Sequence, residues 1–158
     1  MKYHRLSKAD LEELKDEFVK FLATNGLEAK EWEELKKEDP EKTDALIDQF
    51  SDLVIHRALT NIAALKLVTQ NEVYVFHFEK EQAEVVHLKI GTDHDLTDET
   101  VIGQLASGDL PLKTLSPEVE TGRKSLKGDR EMEMYQLMVQ GAKPCPVSFY
   151  EDFKKLIA

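Results

Sequence analysis

Asp44, Asp48, Asp52 and His56 recur every four residues, a spacing that stacks side chains in one column if the segment is helical. Carboxylates and an imidazole so stacked can approach one cation or pass a proton, as helical metal motifs do. The same column has a plainer origin. Aligned peptide dipoles favour acids at the start of a helix and a histidine at its end, and a solvated face opposite an apolar stripe is the ordinary state of a surface helix. The plainer origin is the stronger one. His77 and His87 form a second candidate set: read as strand residues, they share one face of neighbouring strands, with His94 a short way along the chain. Two histidines without a placed third ligand are a weak metal signal. Glu84-x-x-His87 has the spacing of helical di-iron motifs, yet on a strand positions i and i+3 point to opposite faces, so the pair is rejected. Cys145 lies between Pro144 and Pro146 with no base or cation beside it in sequence, and nothing there lowers its thiol pKa.

The elements that must carry these residues follow from periodicity. Asp39-Pro40 reads as an N-cap followed by a helix whose apolar stripe is Leu46, Ile47, Phe50, Leu53, Val54 and Ala58. Ahead of it, Ser7 and Asp10 resemble a capping box, and Leu11, Leu14, Phe18, Phe21 and Leu22 predict one helix over 8–24, ended by Asn25-Gly26. A shorter helix over 29–37 carries Trp32 and Leu35.

The centre of the chain, from Ile62 to Ile90, reads as three strands in a meander. If Gln70-Asn71 is a two-residue turn, Leu67 lies opposite Tyr74, Leu65 opposite Phe76 and Ala63 opposite Phe78. Placing Val86, Leu88 and Ile90 on that same face gives one apolar face for helices to cover. The reverse face then carries Lys66, Val73, Val75, His77, Val85, His87 and Lys89, partly wet or partly covered. Beyond the meander, helices are predicted over 98–107 and 130–140, with a last one capped by Ser148. Between them, 109–127 loses periodicity and reads as a long loop with a short extended piece near 119–121. This loop and the residues just after it hold the one locally basic stretch, Lys113, Arg123, Lys124, Lys127 and Arg130. A phosphate or an acidic peptide could dock there, but balance against the acidic half of the chain is the favoured reading.

Composition bounds the rest. With 158 residues the chain suits a single domain, helical over 1–60, a meander over 61–90 and helical again over 91–158. One cysteine excludes an intramolecular disulfide and Cys-rich zinc patterns, and no apolar run reads as a signal peptide or membrane span. A cytoplasmic location is the expectation. The net charge of −10 sits in the first two thirds, since residues 109–158 hold eight basic and eight acidic side chains. Such a field repels nucleic acid and anionic lipid. Phosphate-binding, dinucleotide-binding, nucleophile-elbow and H-E-x-x-H motifs are absent.

Lys2-Tyr3-x-Arg5-Leu6, Glu17-Phe18-x-x-Phe21-Leu22-Ala23, Trp32 and Phe50-Ser51-Asp52-Leu53-Val54 together resemble a family of small uncharacterised bacterial proteins, a domain of unknown function. The resemblance covers most of the chain and implies one bacterial cytoplasmic domain without assigning any residue a role.

The sequence therefore predicts an α+β fold, a three-stranded antiparallel meander covered by about five or six helices. The expected function is a non-enzymatic interaction module with no cofactor, meeting a protein partner or a second copy through Val73, Val75 and Val85. The alternative is a metal-binding protein or metal-dependent enzyme using Asp48, Asp52 and His56, or His77 and His87.

Overall fold

The structure is a computed structural model that describes residues 1–158. Seven α-helices and five strands make two compact units, Met1–Ala58 and Leu59–Ala158.

The first unit is helical. Helix α1 (Lys8–Glu13) starts at Ser7, whose Oγ accepts from the Asp10 amide. Leu14, at φ −97° and ψ 18°, leaves helical geometry, so the segment expected as one helix is two, the second being α2 (Lys15–Thr24). Gly26 sits at φ 77°, the left-handed stop that Asn25-Gly26 implied. Helix α3 (Ala29–Glu38) opens on a capping box between Glu28 and Glu31. Helix α4 (Pro40–Thr60) is entered through Asp39, whose Oδ1 accepts from the Lys42 amide, and its last two residues belong to the second unit. Leu22, Trp32 and Leu46 are buried together with Phe18, Phe21 and Leu35 packed on them. Phe18 lies edge-on to Trp32, and both Phe18 and Phe21 contact Phe50 with ring centroids 5.0 and 5.4 Å apart.

The second unit is built on one antiparallel sheet with strand order β4-β3-β2-β1-β5. Strands β1 (Ala64–Val68), β2 (Glu72–Phe78) and β3 (Gln82–Lys89) are the expected meander. To it are added β4 (Glu118–Ser125) at one edge and β5 (Lys143–Pro144) at the other, so the sheet has five strands rather than three. The first hairpin has the predicted register, with Leu67 opposite Tyr74 and Leu65 opposite Phe76.

The second hairpin does not. Glu79 and Gln82 close it, the Glu79 amide donating to the Gln82 carbonyl at 2.8 Å, which leaves Lys80-Glu81 as the loop. Two loop residues put Tyr74 opposite His87, Phe76 opposite Val85 and Phe78 opposite Ala83. Val86 and Leu88 therefore join Val75 and Val73 on the other face. Because the side-chain period is two, this half-step moves every residue of β3 to the face opposite the expected one.

That face is the main core. Val73, Val75, Val86, Leu88 and Ile90 are buried beneath helix α5 (Glu99–Ser107), which supplies Ile102 and Leu105, and helix α7 (Val147–Ile157), which supplies Tyr150 and Phe153. Asp98 caps α5 by accepting from the Thr100 amide. Helix α6 (Arg130–Val139) falls where a helix was predicted, is capped by Asp129 and lies by the opposite face near Phe78 and Ala83. The segment 109–127 is mostly ordered structure: a 3-10 turn at Leu112–Leu115 buries Leu115, Ser116 turns at φ 51°, and β4 follows.

Candidate functional site

The acid column is the first candidate to place. Asp44, Asp48, Asp52 and His56 lie on α4 as predicted, and the N-terminal segment runs along them. Asp52 accepts from the amides of Lys2 and Tyr3 at 2.6 and 2.8 Å. The Tyr3 hydroxyl meets His56 Nδ1 at 2.8 Å, and Arg5 bonds Asp48 at 2.6 Å and reaches Asp44 at 3.6 Å. The Leu6 amide donates to Ser51 Oγ, a fully buried hydroxyl. The Arg5 hydrogen bond holds Asp48 below the usual carboxylate range. Asp48, Asp52 and His56 are thus engaged in fastening residues 2–6 to α4. Asp52→Ala removes the acceptor for two backbone donors and is expected to cost about 1–2 kcal/mol; urea unfolding measures it, and faster proteolysis within residues 1–7 is the accompanying sign.

His77 and His87 do not come together. The Lys80-Glu81 loop sets His77 beside Glu84 and His87 beside Tyr74, on opposite faces of the sheet, which corrects the expectation that they share one. His77 stacks on Tyr150 at 4.8 Å, whereas His87 stacks on Tyr74 at 4.1 Å and bonds Glu72 through Nε2 at 3.2 Å. His94 bonds the Thr92 hydroxyl in its loop. Val73 and Val75, expected as a partner surface, have no exposed area and belong to the core under α5 and α7. Val85 is half-buried on the other face. Burial raises the Cys145 thiol to about 11, leaving it a thiol at neutral pH and a poor nucleophile.

What the sequence reading missed lies on β3 and β4. Glu84 projects from β3 among apolar neighbours and is met by three donors: the Tyr150 hydroxyl and Lys154 Nζ, at 3.2 Å, on one oxygen, and the Arg123 guanidinium on the other. The Tyr150 hydrogen bond, followed by that of Lys154, lowers the Glu84 pKa to about 2. Burial and the same bond raise the Tyr150 hydroxyl. A carboxylate held this firmly in its ionised form is a weak base; its role is to tie α7 and β4 to β3. The signal was an acid embedded in the apolar run of a central strand.

Glu84 binds fewer protons when folded than when unfolded, so its contribution is complete above its ordinary pKa near 4.5 and disappears as pH falls towards about 2. Glu84→Gln is expected to cost about 1–3 kcal/mol at pH 7, carried mainly by the Tyr150 bond because Lys154 and Arg123 are well exposed. Urea unfolding at pH 7 and pH 3 checks this, the gap between wild type and variant narrowing at the lower pH.

Strand β4 itself is the second missed feature. All eight of its residues are exposed, and it forms the outer edge of the sheet beside β3. The Leu126 amide donates to the Glu81 carbonyl, its partner in the β3–β4 register. In an antiparallel ladder hydrogen-bonded positions alternate. Hence the even-numbered residues of β4 bond β3, and Val119, Thr121, Arg123 and Ser125 turn their N–H and C=O groups outward. The opposite edge differs: β5 has two residues, and one is Pro144, which has no N–H to offer. Two hollows flank β4 at Gly122. One, of about 510 Å³, is lined by Phe76, Phe78, Ala83 and Leu137; the other, of about 400 Å³, by Val86, Thr121, Tyr150 and Ile157. Arg123 and Lys124 of the basic stretch are paired within the chain, to Glu84 and, at 2.6 Å, to Glu133.

The family model described as "Family of unknown function (DUF6495)" matches residues 1–158. No curated protein and no solved structure matches the chain.

Proposed function

For a chain that belongs over its whole length to a family of unknown function, DUF6495, we propose a cytoplasmic interaction module whose docking element is the open edge of β4. The observation that carries this reading is the contrast between the two edges of one sheet. Exposed strand edges invite pairing with other chains, and proteins blunt them by shortening the strand or placing proline in it. Here β5 is blunted in both ways, while β4 presents eight exposed residues with no proline among them. Strand addition supplies main-chain hydrogen bonds from the receiving edge and sets specificity through alternate side chains. A single cysteine, half-buried and unpaired, is consistent with a reducing compartment.

The test uses an extended Thr/Val peptide with two glutamates at its N-terminal end and two lysines at its C-terminal end, labelled and titrated with the full chain. Binding is expected, together with slowed amide exchange at Val119, Thr121, Arg123 and Ser125. Thr121→Pro removes an outward N–H without touching the bonds to β3 and is expected to weaken the peptide at least ~10-fold. Unchanged peptide affinity in a folded Thr121→Pro protein contradicts the reading.

A further inference from the structure

Resting on the open β4 edge, we propose that its occupant is a second copy of the same edge, paired antiparallel about a two-fold axis at Gly122. The sequence of β4 is sorted by charge: Glu118 and Glu120 lie in its first half, Arg123 and Lys124 in its second. Parallel pairing in register sets acids beside acids and bases beside bases, which is destabilising. Antiparallel pairing reverses one copy and sets each acidic half beside a basic half.

Geometry selects the register. A two-fold axis perpendicular to a sheet keeps each face on its own side, so every residue meets one of the same parity. With the axis at Gly122, Glu120 meets Lys124 of the partner subunit, and the symmetric pair repeats on the other side of the axis. Thr121 then lies opposite Arg123 of the partner subunit, and Val119 opposite Ser125 of the partner subunit. Those are the outward-facing residues, so their N–H and C=O groups exchange hydrogen bonds across the axis. Gly122 places no side chain on the axis, and a Cβ there would sit 3.2 Å from Val85 Cγ1. Shifting the axis to Arg123 would bring that cation against its own copy.

The side chains needed for this pairing are accessible. Glu120 is 84% exposed, and Lys124, although bonded to Glu133, is 63% exposed. Val119 is among the few large apolar side chains left exposed in the protein. The product is one sheet continuous through both copies, with strands β4 at its centre.

Sedimentation of the full chain from about 1 to 200 µM tests the pairing. Wild type is expected to form a reversible dimer. Glu120→Lys and Lys124→Glu each set like charges opposite one another twice and are expected to raise the dimer dissociation constant at least ~10-fold. An equimolar mixture of the two restores opposite charges at both positions and is expected to recover a dimer near wild-type strength. A purely structural role for either side chain does not produce that recovery. Thr121→Pro, with its melting curve as the check on folding, abolishes the dimer. A chain that stays monomeric throughout, or a dimer indifferent to Thr121→Pro and to the charge variants, overturns the proposal. If the chain is monomeric yet the Thr/Val peptide binds, the edge takes another partner and only self-pairing falls; if neither occurs, both readings fall.

Discussion

Phe153→Ala is expected to lower stability by about 3–5 kcal/mol, the range for removing a buried aromatic ring whose cavity only partly collapses. Phe153 is fully buried and belongs to the cluster under which β2 and β3 lie, with Phe149 packed against it at 4.8 Å between centroids. Val73, Val75 and Leu88 in the same cluster are also fully buried, and β-strand backbone cannot move inward to fill the void. The loss is comparable to the whole stability of a small domain at its lower limit. Urea unfolding followed by far-UV circular dichroism measures it. Phe153→Leu, which keeps most of the volume, is expected to recover more than half of the loss.

Arg130→Met is expected to cost a similar amount, about 3–5 kcal/mol, for a different reason. The Arg130 guanidinium is 15% exposed and pairs with Glu131 at 3.2 Å. It also donates to the Ile62 and Phe78 carbonyls at 2.7 and 3.1 Å, to the Glu79 carbonyl at 3.0 Å and to the Leu59 carbonyl at 3.4 Å. These acceptors are the end of α4, the lead into β1 and the turn end of β2, so one side chain satisfies main-chain groups that no ladder reaches. Methionine keeps the stem's packing and takes this donor from the Ile62, Phe78 and Glu79 carbonyls and from Glu131, while the Leu59 carbonyl keeps the Ile62 amide, and the penalty exceeds that of an exposed ion pair. Lysine has one cationic nitrogen in place of the planar fork, so Arg130→Lys is expected to restore only part of the loss. Equal stability of the Lys and Arg proteins contradicts the assignment.

Where a local rule acted alone, the sequence was readable. Gln70-Asn71 as a two-residue turn sets the register of the first hairpin without outside help, and Asn25-Gly26 ends α2 by a left-handed turn that needs nothing beyond the helix. The second hairpin went out of phase because Val86, Leu88 and Ile90 were matched to the Tyr74 and Phe76 face by their apolar character, whereas closure of the chain between Phe78 and Ala83 sets Val86 opposite Val75 and Leu88 opposite Val73. That one inverted strand face separated His87 from His77 and turned Val73 and Val75 from a surface into a core. Apolar alternation could not reveal β4, since an edge strand exposed on both faces has little reason to alternate, and Val119 is its one large apolar residue. The α4 column was visible as a pattern, but its partners, Lys2, Tyr3 and Arg5, lie more than forty residues away in sequence. The Glu84 cluster was out of reach for the same reason: its donors come from β4 and α7, and only folding brings them to β3.

Docking at β4 requires an edge that is open in the dilute chain and becomes paired on concentration or when the Thr/Val peptide binds. Residue-resolved amide hydrogen exchange, run on a dilute and a concentrated sample, tests it most directly. In the dilute sample the amides of Val119, Thr121, Arg123 and Ser125 are expected to exchange quickly while those of Glu120, Gly122 and Lys124, bonded to β3, are protected; on concentration the odd-numbered set gains protection. Protection of the odd-numbered amides at the lowest concentration, or fast exchange that neither concentration nor the Thr/Val peptide slows, contradicts the account.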